Sequence, residues 1–215
     1  MGVLERVGTL ADVFPPSFAS SGSWPAITAT ARSALVDAVL DHVDDGRVTL
    51  LGAADAALVT EIAAELERAL VVLDSSRSTL RRLRRELEAD DDAPAIDLYA
   101  EDLREFDVAE ESDCAVVPTF TLRALLTRTA QLQCLRCIAG SLPQESVVLL
   151  HVDSVPDGLP DGRLPGTVLV EGDTPFELAD HDTDTLCAIA EEAGLSVTSR
   201  QPLADESVLL VARRS

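Results

Sequence analysis

The stretch RVTLLGAADAALVTEIAAELERALVVLDSS, residues 47–76, decides the class of fold. It opens with a short apolar run, RVTLL (47–51), that ends at Gly52. Leu58, Ile62 and Leu66 then recur at i, i+4 and i+8, which is one face of a helix. A second run, LVVL (70–73), stops at Asp74. LVVL is apolar throughout, as expected of a strand buried on both faces in a parallel sheet. Parallel neighbours need a crossover between them, and the helical segment supplies it.

The same alternation extends outward. Downstream, Leu80, Leu83 and Leu87 mark a helix whose other faces carry Arg81, Arg82, Arg84 and Arg85. A strand is expected at 95–99 and another at 114–117 (CAVV), followed by a helix with Leu132, Leu135, Ile138 and Leu142. The run VVLLHV, 147–152, is the most apolar strand of all. Upstream, Val36, Leu40 and Val43 predict a helix that starts at Thr28 and is ended by Gly46. Five strand-then-helix repeats make a doubly wound α/β fold the expectation. A Gly/Pro/Asp-rich stretch spans 153–179, with no strand assigned to it. A helix with Leu186, Ile189, Ala190 and Ala193 follows, closed by Gly194 as its C-cap. Runs at 195–200 and 208–213 lie too close for a crossover and must form a hairpin, so the last of seven strands runs antiparallel. Residues 1–27, with FPPSFASSGSWP at their centre, read as an N-terminal arm, and 28–215 as one α/β domain.

Composition narrows the function. The chain has 215 residues with 38 acidic and 17 basic side chains, a formal charge of −21, and every basic residue is arginine. A polyanion-binding role is disfavoured, because phosphate contacts need a basic surface. The Arg81–Arg85 run reads as a solvated helix face balanced by Glu86 and Glu88, so no nucleic-acid partner is expected. No apolar run reaches the ~18–20 residues of a membrane helix. The opening MGVLERVGTLADVF has no charged-then-apolar signal, so a cytoplasmic protein without membrane partners is expected. Of four cysteines (Cys114, Cys134, Cys137, Cys187) only Cys134 and Cys137 have CxxC spacing, inside a helical pattern and with no second pair. They read as reduced, mostly buried thiols, and no metal site is expected.

In a doubly wound sheet, ligands bind beyond the carboxyl ends of the strands, near the point where the strand order reverses. The residues leaving each strand are Gly52-Ala53-Ala54-Asp55, Asp74-Ser75, Asp102-Leu103, Pro118-Thr119-Phe120 and His151. A carboxylate ending the second strand suits a ribose diol, since one carboxylate accepts from both hydroxyls; the plainer reading of Asp74 is a helix N-cap. An acid followed by an apolar residue after the third strand suits adenine, with Asp102 taking the exocyclic amine and Leu103 packing on the ring.

This order resembles the class I S-adenosylmethionine-dependent methyltransferases of small-molecule type. VTLLGAADAALVTEIAAE is similar to that family's first motif, VVLDSSRSTLRRLRRE to its second and IDLYAEDLREFDV to its third. SDCAVVPTFTLRALLTRTAQLQCLRCIAGSLPQESVVLLHV resembles the family's fourth block, and the AGL–strand–turn–VLLVARR tail its ending. The resemblance, over about residues 30–213, implies a Rossmann-like methyltransferase fold with S-adenosylmethionine (SAM) as cofactor and S-adenosylhomocysteine (SAH) as product. By it, Gly52 to Asp55 line the methionine part, Asp74 and Ser75 the ribose, Asp102 and Leu103 the adenine, and Pro118 to Phe120 the floor beneath the sulfonium. The first motif departs from acid-x-G-x-G-x-G: Leu50 stands at the acidic place, and Ala54 and Ala56 replace the second and third glycines. An alanine forced into a left-handed conformation costs roughly 1–2 kcal/mol. That is about tenfold in affinity for each position needing it. Two functions follow: transfer of a methyl group to a small-molecule acceptor, or a methyltransferase-like protein without turnover that serves as a partner subunit or binding module.

On the acceptor side, His151 is the best-placed base, against a satisfied polar cap at a strand end. His42 and His181 read as structural. Phe14, Phe18 and Trp24 form a lid over the acceptor, or else pack the arm onto the body or onto a neighbouring subunit of a homo- or hetero-oligomer. Arg123 meets an acceptor carboxylate or sits in a surface ion pair.

Overall fold

A computed structural model describes residues 27–43, 46–53, 55–66, 70–89, 94–106, 112–152, 166–171, 174–179 and 182–215. The first crossover is as the sequence indicates. Strand β1 (Arg47–Leu51) leads through helix α2 (Ala56–Glu65) to β2 (Leu70–Asp74), and the two strands pair in parallel with Leu50 opposite Val72. Helix α3 (Arg77–Glu88) then returns the chain to β3 (Ile96–Ala100), parallel to β2. On the other side of β1 lie β4 (Ser112–Val117) and β5 (Val147–Val152), joined by helices α4 (Thr119–Arg123) and α5 (Arg128–Ser141). Every residue of β2 and β5 is buried, the burial that a continuous apolar run requires.

Helix α6 (Thr183–Glu192) ends at Ala193, and Gly194 follows with φ +90°. That left-handed step turns the chain into β8 (Leu195–Pro202), which pairs antiparallel with β9 (Val208–Arg214). Strand β9 inserts antiparallel beside β5, giving a seven-stranded sheet of order β3-β2-β1-β4-β5-β9-β8. Two apolar layers sandwich it. Leu35, Leu58, Ile62 and Leu83 from α1 (Ala29–His42), α2 and α3 cover one face. Leu135 and Ile138 of α5, with Leu186 and Ile189 of α6, cover the other. No helix of the described residues is long and apolar enough to cross a membrane.

Three expectations need correction. The buried stripe of α1 is Ala31, Leu35, Ala38 and Val39; Leu40 is 41% exposed, and the helix ends at Val43 before Gly46. Small apolar residues sit all round this helix, so of the spacing Val36–Leu40–Val43 only Leu40 misses the core. The stretch 153–179, to which the sequence reading assigns no strand, holds β6 (Gly166–Glu171) and β7 (Thr174–Ala179), a separate antiparallel pair with β7 next to α4. The strand-then-helix rhythm also breaks, since the described residues after β3 hold no helix, whereas β4 is followed by two.

The cysteines behave as expected. All four are free; Cys114, Cys134 and Cys187 are buried, and Cys137 on α5 donates to the Arg104 carbonyl at 2.9 Å. Burial pushes the Cys114 thiol up to about 12, which keeps it protonated and unreactive. The described residues contain no cluster of metal-ligating side chains.

Candidate functional site

Strand order reverses between β1 and β4, so the crevice at their carboxyl ends is where a ligand belongs. Gly52 leaves β1 with φ +98°, and its N–H donates to the Leu73 carbonyl of β2 at 2.7 Å. A Cβ on Gly52 would lie 2.4 Å from Thr121 Oγ1, whose hydroxyl donates to the Leu51 carbonyl. One turn thus binds the ends of β1 and β2 to the first turn of α4.

Asp74 is the knot of this crevice. Its Oδ2 accepts from the Ala53 N–H at 2.7 Å and its Oδ1 from the Ser76 N–H at 2.6 Å, so one carboxylate laces the turn after β1 to the turn after β2. It is not the N-cap of α3; Ser76 fills that place, accepting from the Thr79 N–H. Burial raises the Asp74 carboxyl above its usual range, against the opposing pull of the two N–H bonds and of Arg82. Beside it, the buried Ser75 hydroxyl has no hydrogen-bond partner among the described residues. A buried polar group left unmatched costs about 1–3 kcal/mol, so such an atom at a crevice suits a ligand that satisfies it.

The alanines of the first motif do not project uniformly. Ala53 is 0% exposed in the core under α2, and Ala56 packs against the same core. Ala54 lies outside the described residues. Leu50, at the acidic place, is a fully buried core side chain. Asp55 caps α2 by accepting from the Leu58 N–H at 3.0 Å, and its other oxygen accepts from the Ile27 N–H at 3.0 Å, with Arg32 3.9 Å away. Its carboxylate therefore fastens the start of α1 to the start of α2.

Beyond β3, Asp102 is gripped by Arg104: Nε reaches Oδ1 at 2.9 Å and Nη2 reaches Oδ2 at 2.7 Å. The guanidinium holds the Asp102 carboxyl below the usual carboxylate range. Leu103 is 3% exposed, within the apolar cluster under α5. Pro118 is buried and precedes Thr119, the first residue of α4; Phe120 is 8% exposed, and the Arg123 guanidinium lies 5.9 Å from its ring centroid. That distance is within cation–π range.

His151 is buried near the carboxyl end of β5, facing the α1 side with Leu149. Its Nε2 stands 3.0 Å from Ser207 Oγ, and Ser207 donates to Asp205 Oδ1 at 2.6 Å. Thr28, the N-cap of α1, donates to the other oxygen of Asp205. Sequence reading found neither Ser207, which reaches His151 through the fold, nor Asp205 and Arg104, which hold neighbours two residues away. Phe14, Phe18, Trp24 and His181 lie outside the described residues.

Comparison with solved structures gives extensive matches. MtfA, a glycopeptide N-methyltransferase complexed with S-adenosyl-L-homocysteine, superposes with a TM-score of 0.70 over 93% of this chain and 96% of its own, at 18% identity. The methyltransferase CcbJ from Streptomyces caelestis gives a TM-score of 0.70 over 91% and 94%, at 16% identity. SAM-bound CalS10, an amino pentose methyltransferase from Micromonospora echinaspora, gives 0.68 over 86% and 90%, at 17% identity. The fold is that of the class I methyltransferases. No family model matches the sequence, and no curated protein does. In this methyltransferase fold, Asp74 ends a parallel strand and Gly52, Ser75, Asp102 and Pro118 lie just past the carboxyl ends of such strands, the edge where ligands bind.

Proposed function

We propose that the protein transfers a methyl group from SAM to a small-molecule acceptor. One observation carries the reading: the buried Asp74 carboxylate and the unmatched Ser75 hydroxyl stand together at the carboxyl end of β2, next to the strand-order reversal. Each carboxylate oxygen has accepted one N–H and keeps acceptor capacity for a ribose hydroxyl, while Ser75 both donates and accepts. The residues present thus fit a nucleoside. Of the described residues, the main chain of Gly52, Ala53 and Asp55 lines the methionine end, Asp102 and Leu103 hold the adenine, and Pro118 and Phe120 form the floor. Of the two replaced glycines, Ala56 packs against the core, which supports an unobstructed methionine end at that position.

When bound, SAM supplies an electrophilic methyl on a sulfonium. The protein's own task is to align the acceptor behind that methyl and keep water away. His151 takes the proton the acceptor loses, and Arg123 meets an acceptor carboxylate.

The second reading, a binding module or partner subunit without turnover, is favoured by Leu50, which puts a core side chain where the family places an acid for the cofactor's ammonium group. Calorimetry with SAH separates the two. Micromolar binding supports the enzyme; no heat at millimolar ligand supports the module. Asp74→Ala should weaken SAH binding at least tenfold, about 1.4 kcal/mol. An unchanged affinity would remove Asp74 from the site.

A further inference from the structure

His151 is linked to a carboxylate that lies outside the cofactor crevice. Ser207 and Asp205 belong to the turn between β8 and β9, and β9 pairs with β5 so that His151 stands opposite Leu209. Desolvation works to raise the Asp205 carboxyl, but the hydrogen bonds from Ser207 and Thr28 prevail and hold it below the usual carboxylate value. An ionised carboxylate can only accept hydrogen bonds, so the single Ser207 hydroxyl proton goes to Asp205. Ser207 Oγ then has only lone pairs to offer His151, and Nε2 must be the donor across the 3.0 Å contact.

We propose that Asp205, acting through Ser207, positions the methyl-transfer base, holding the neutral His151 ring with its proton on Nε2 and its lone pair on Nδ1. The inference rests on the reading of His151 as base and names the groups that make it one. In the step it serves, a bond forms between the acceptor heteroatom and the methyl carbon as the carbon–sulfur bond breaks, with that electron pair staying on sulfur. The acceptor's proton passes to Nδ1. The ring becomes a cation without losing its bond to Ser207, and the Ser207 dipole with the Asp205 charge behind it favours that cation. Asp205 is itself held from two sides, by Ser207 and by the hydroxyl of Thr28 at the head of α1.

On α1, Arg32 pairs with Glu61 and Asp55, while Asp37, Asp41 and His42 are exposed. Arg123 of α4 lies over Phe120. Arg213 and Arg214 of β9 donate to the carbonyls of Glu145 and Leu142 at the amino end of β5. Hydrogen bonds connect Asp205 to His151 through Ser207.

Nitrogen-15 NMR of the imidazole rings tests this directly, because the chain has three histidines. The wild-type protein should show neutral His151 protonated at Nε2. Ser207→Ala should give a mixture of tautomers, and Asp205→Asn should lower the His151 pKa by about one unit. Ser207→Thr, which keeps the hydroxyl, should preserve both tautomer and pKa. SAH affinity should stay within twofold in all three variants. A wild-type ring protonated at Nδ1, or a His151 pKa unmoved by Asp205→Asn, overturns the proposal. A wild-type protein that binds no SAH overturns the methyltransferase reading instead, and the two results are read from different measurements.

Discussion

Gly52 is under two constraints at once, a positive φ and a neighbour that leaves no space for a Cβ. Gly52→Ala should destabilise the protein by about 1–2 kcal/mol for the left-handed conformation. A further ~1 kcal/mol follows if Thr121 gives up its bond to Leu51. Urea unfolding would show it. The clash is with Thr121 Oγ1, so Gly52→Ala combined with Thr121→Ala should cost less than the sum of the two single changes. Strict additivity would mean that the two side chains do not meet. Asp74 gives a second residue-scale prediction. Its carboxyl is raised above 3.8 by burial, so it favours the folded state only at low pH, and this contribution is lost as pH rises through the raised value. Ribose binding runs the other way, since the ionised form is the better acceptor. SAH affinity should therefore fall on acidification with a midpoint above 3.8, and Asp74→Asn should abolish that limb. A midpoint at or below 3.8 would show that burial does not govern this carboxyl. Gly52 and Asp74 were legible in the sequence because each sits at the end of its own strand. The His151–Ser207–Asp205 chain was not, because Ser207 is 56 positions from His151 and meets it only through the pairing of β5 with β9.

At the scale of elements, Asp55 joins two helices that are far apart in sequence. Removing the α2 cap costs about 1 kcal/mol. Losing the charged bond to the Ile27 N–H adds about 1.5–3 kcal/mol when that amide finds no substitute. Asp55→Ala should thus lower unfolding free energy by more than a lone cap would, and Asp55→Asn, which can still accept from Leu58, should recover part of it. A loss no larger than ~0.5 kcal/mol would mean that the start of α1 is held elsewhere. The elements themselves were mostly legible. The stripes of α3, α5 and α6 are buried where the 3.6-residue period places them, because leucine and isoleucine there face charged residues across the helix. In α1 the opposite faces carry alanine and valine as well, and the period cannot choose between them. The β6–β7 pair was hidden differently: GTVLV and TPFEL are strand-like runs, but both lie in a stretch dominated by Gly, Pro and Asp.

For the whole molecule the excess of acid matters more than any one ion pair. Exposed bridges such as Arg128–Glu192 and Arg200–Asp184 contribute little to stability, and salt weakens them. Against them stands a net charge of −21, whose self-repulsion opposes the compact state and which the same salt also screens. The Debye length falls from about 30 Å at 0.01 M to about 10 Å at 0.1 M, so repulsion between charges spread over the surface is removed first. Close pairs, at 2.6 Å in Arg128–Glu192 and 2.5 Å in Arg200–Asp184, lose less over that range. The Tm should therefore rise from low salt to ~0.1 M sodium chloride. Each kcal/mol of relieved repulsion is worth roughly 2–4 °C in a chain of this size. Potassium chloride should act alike, since screening depends on ionic strength and not on the cation. A Tm that falls over this range would mean that paired arginines outweigh the surplus carboxylates.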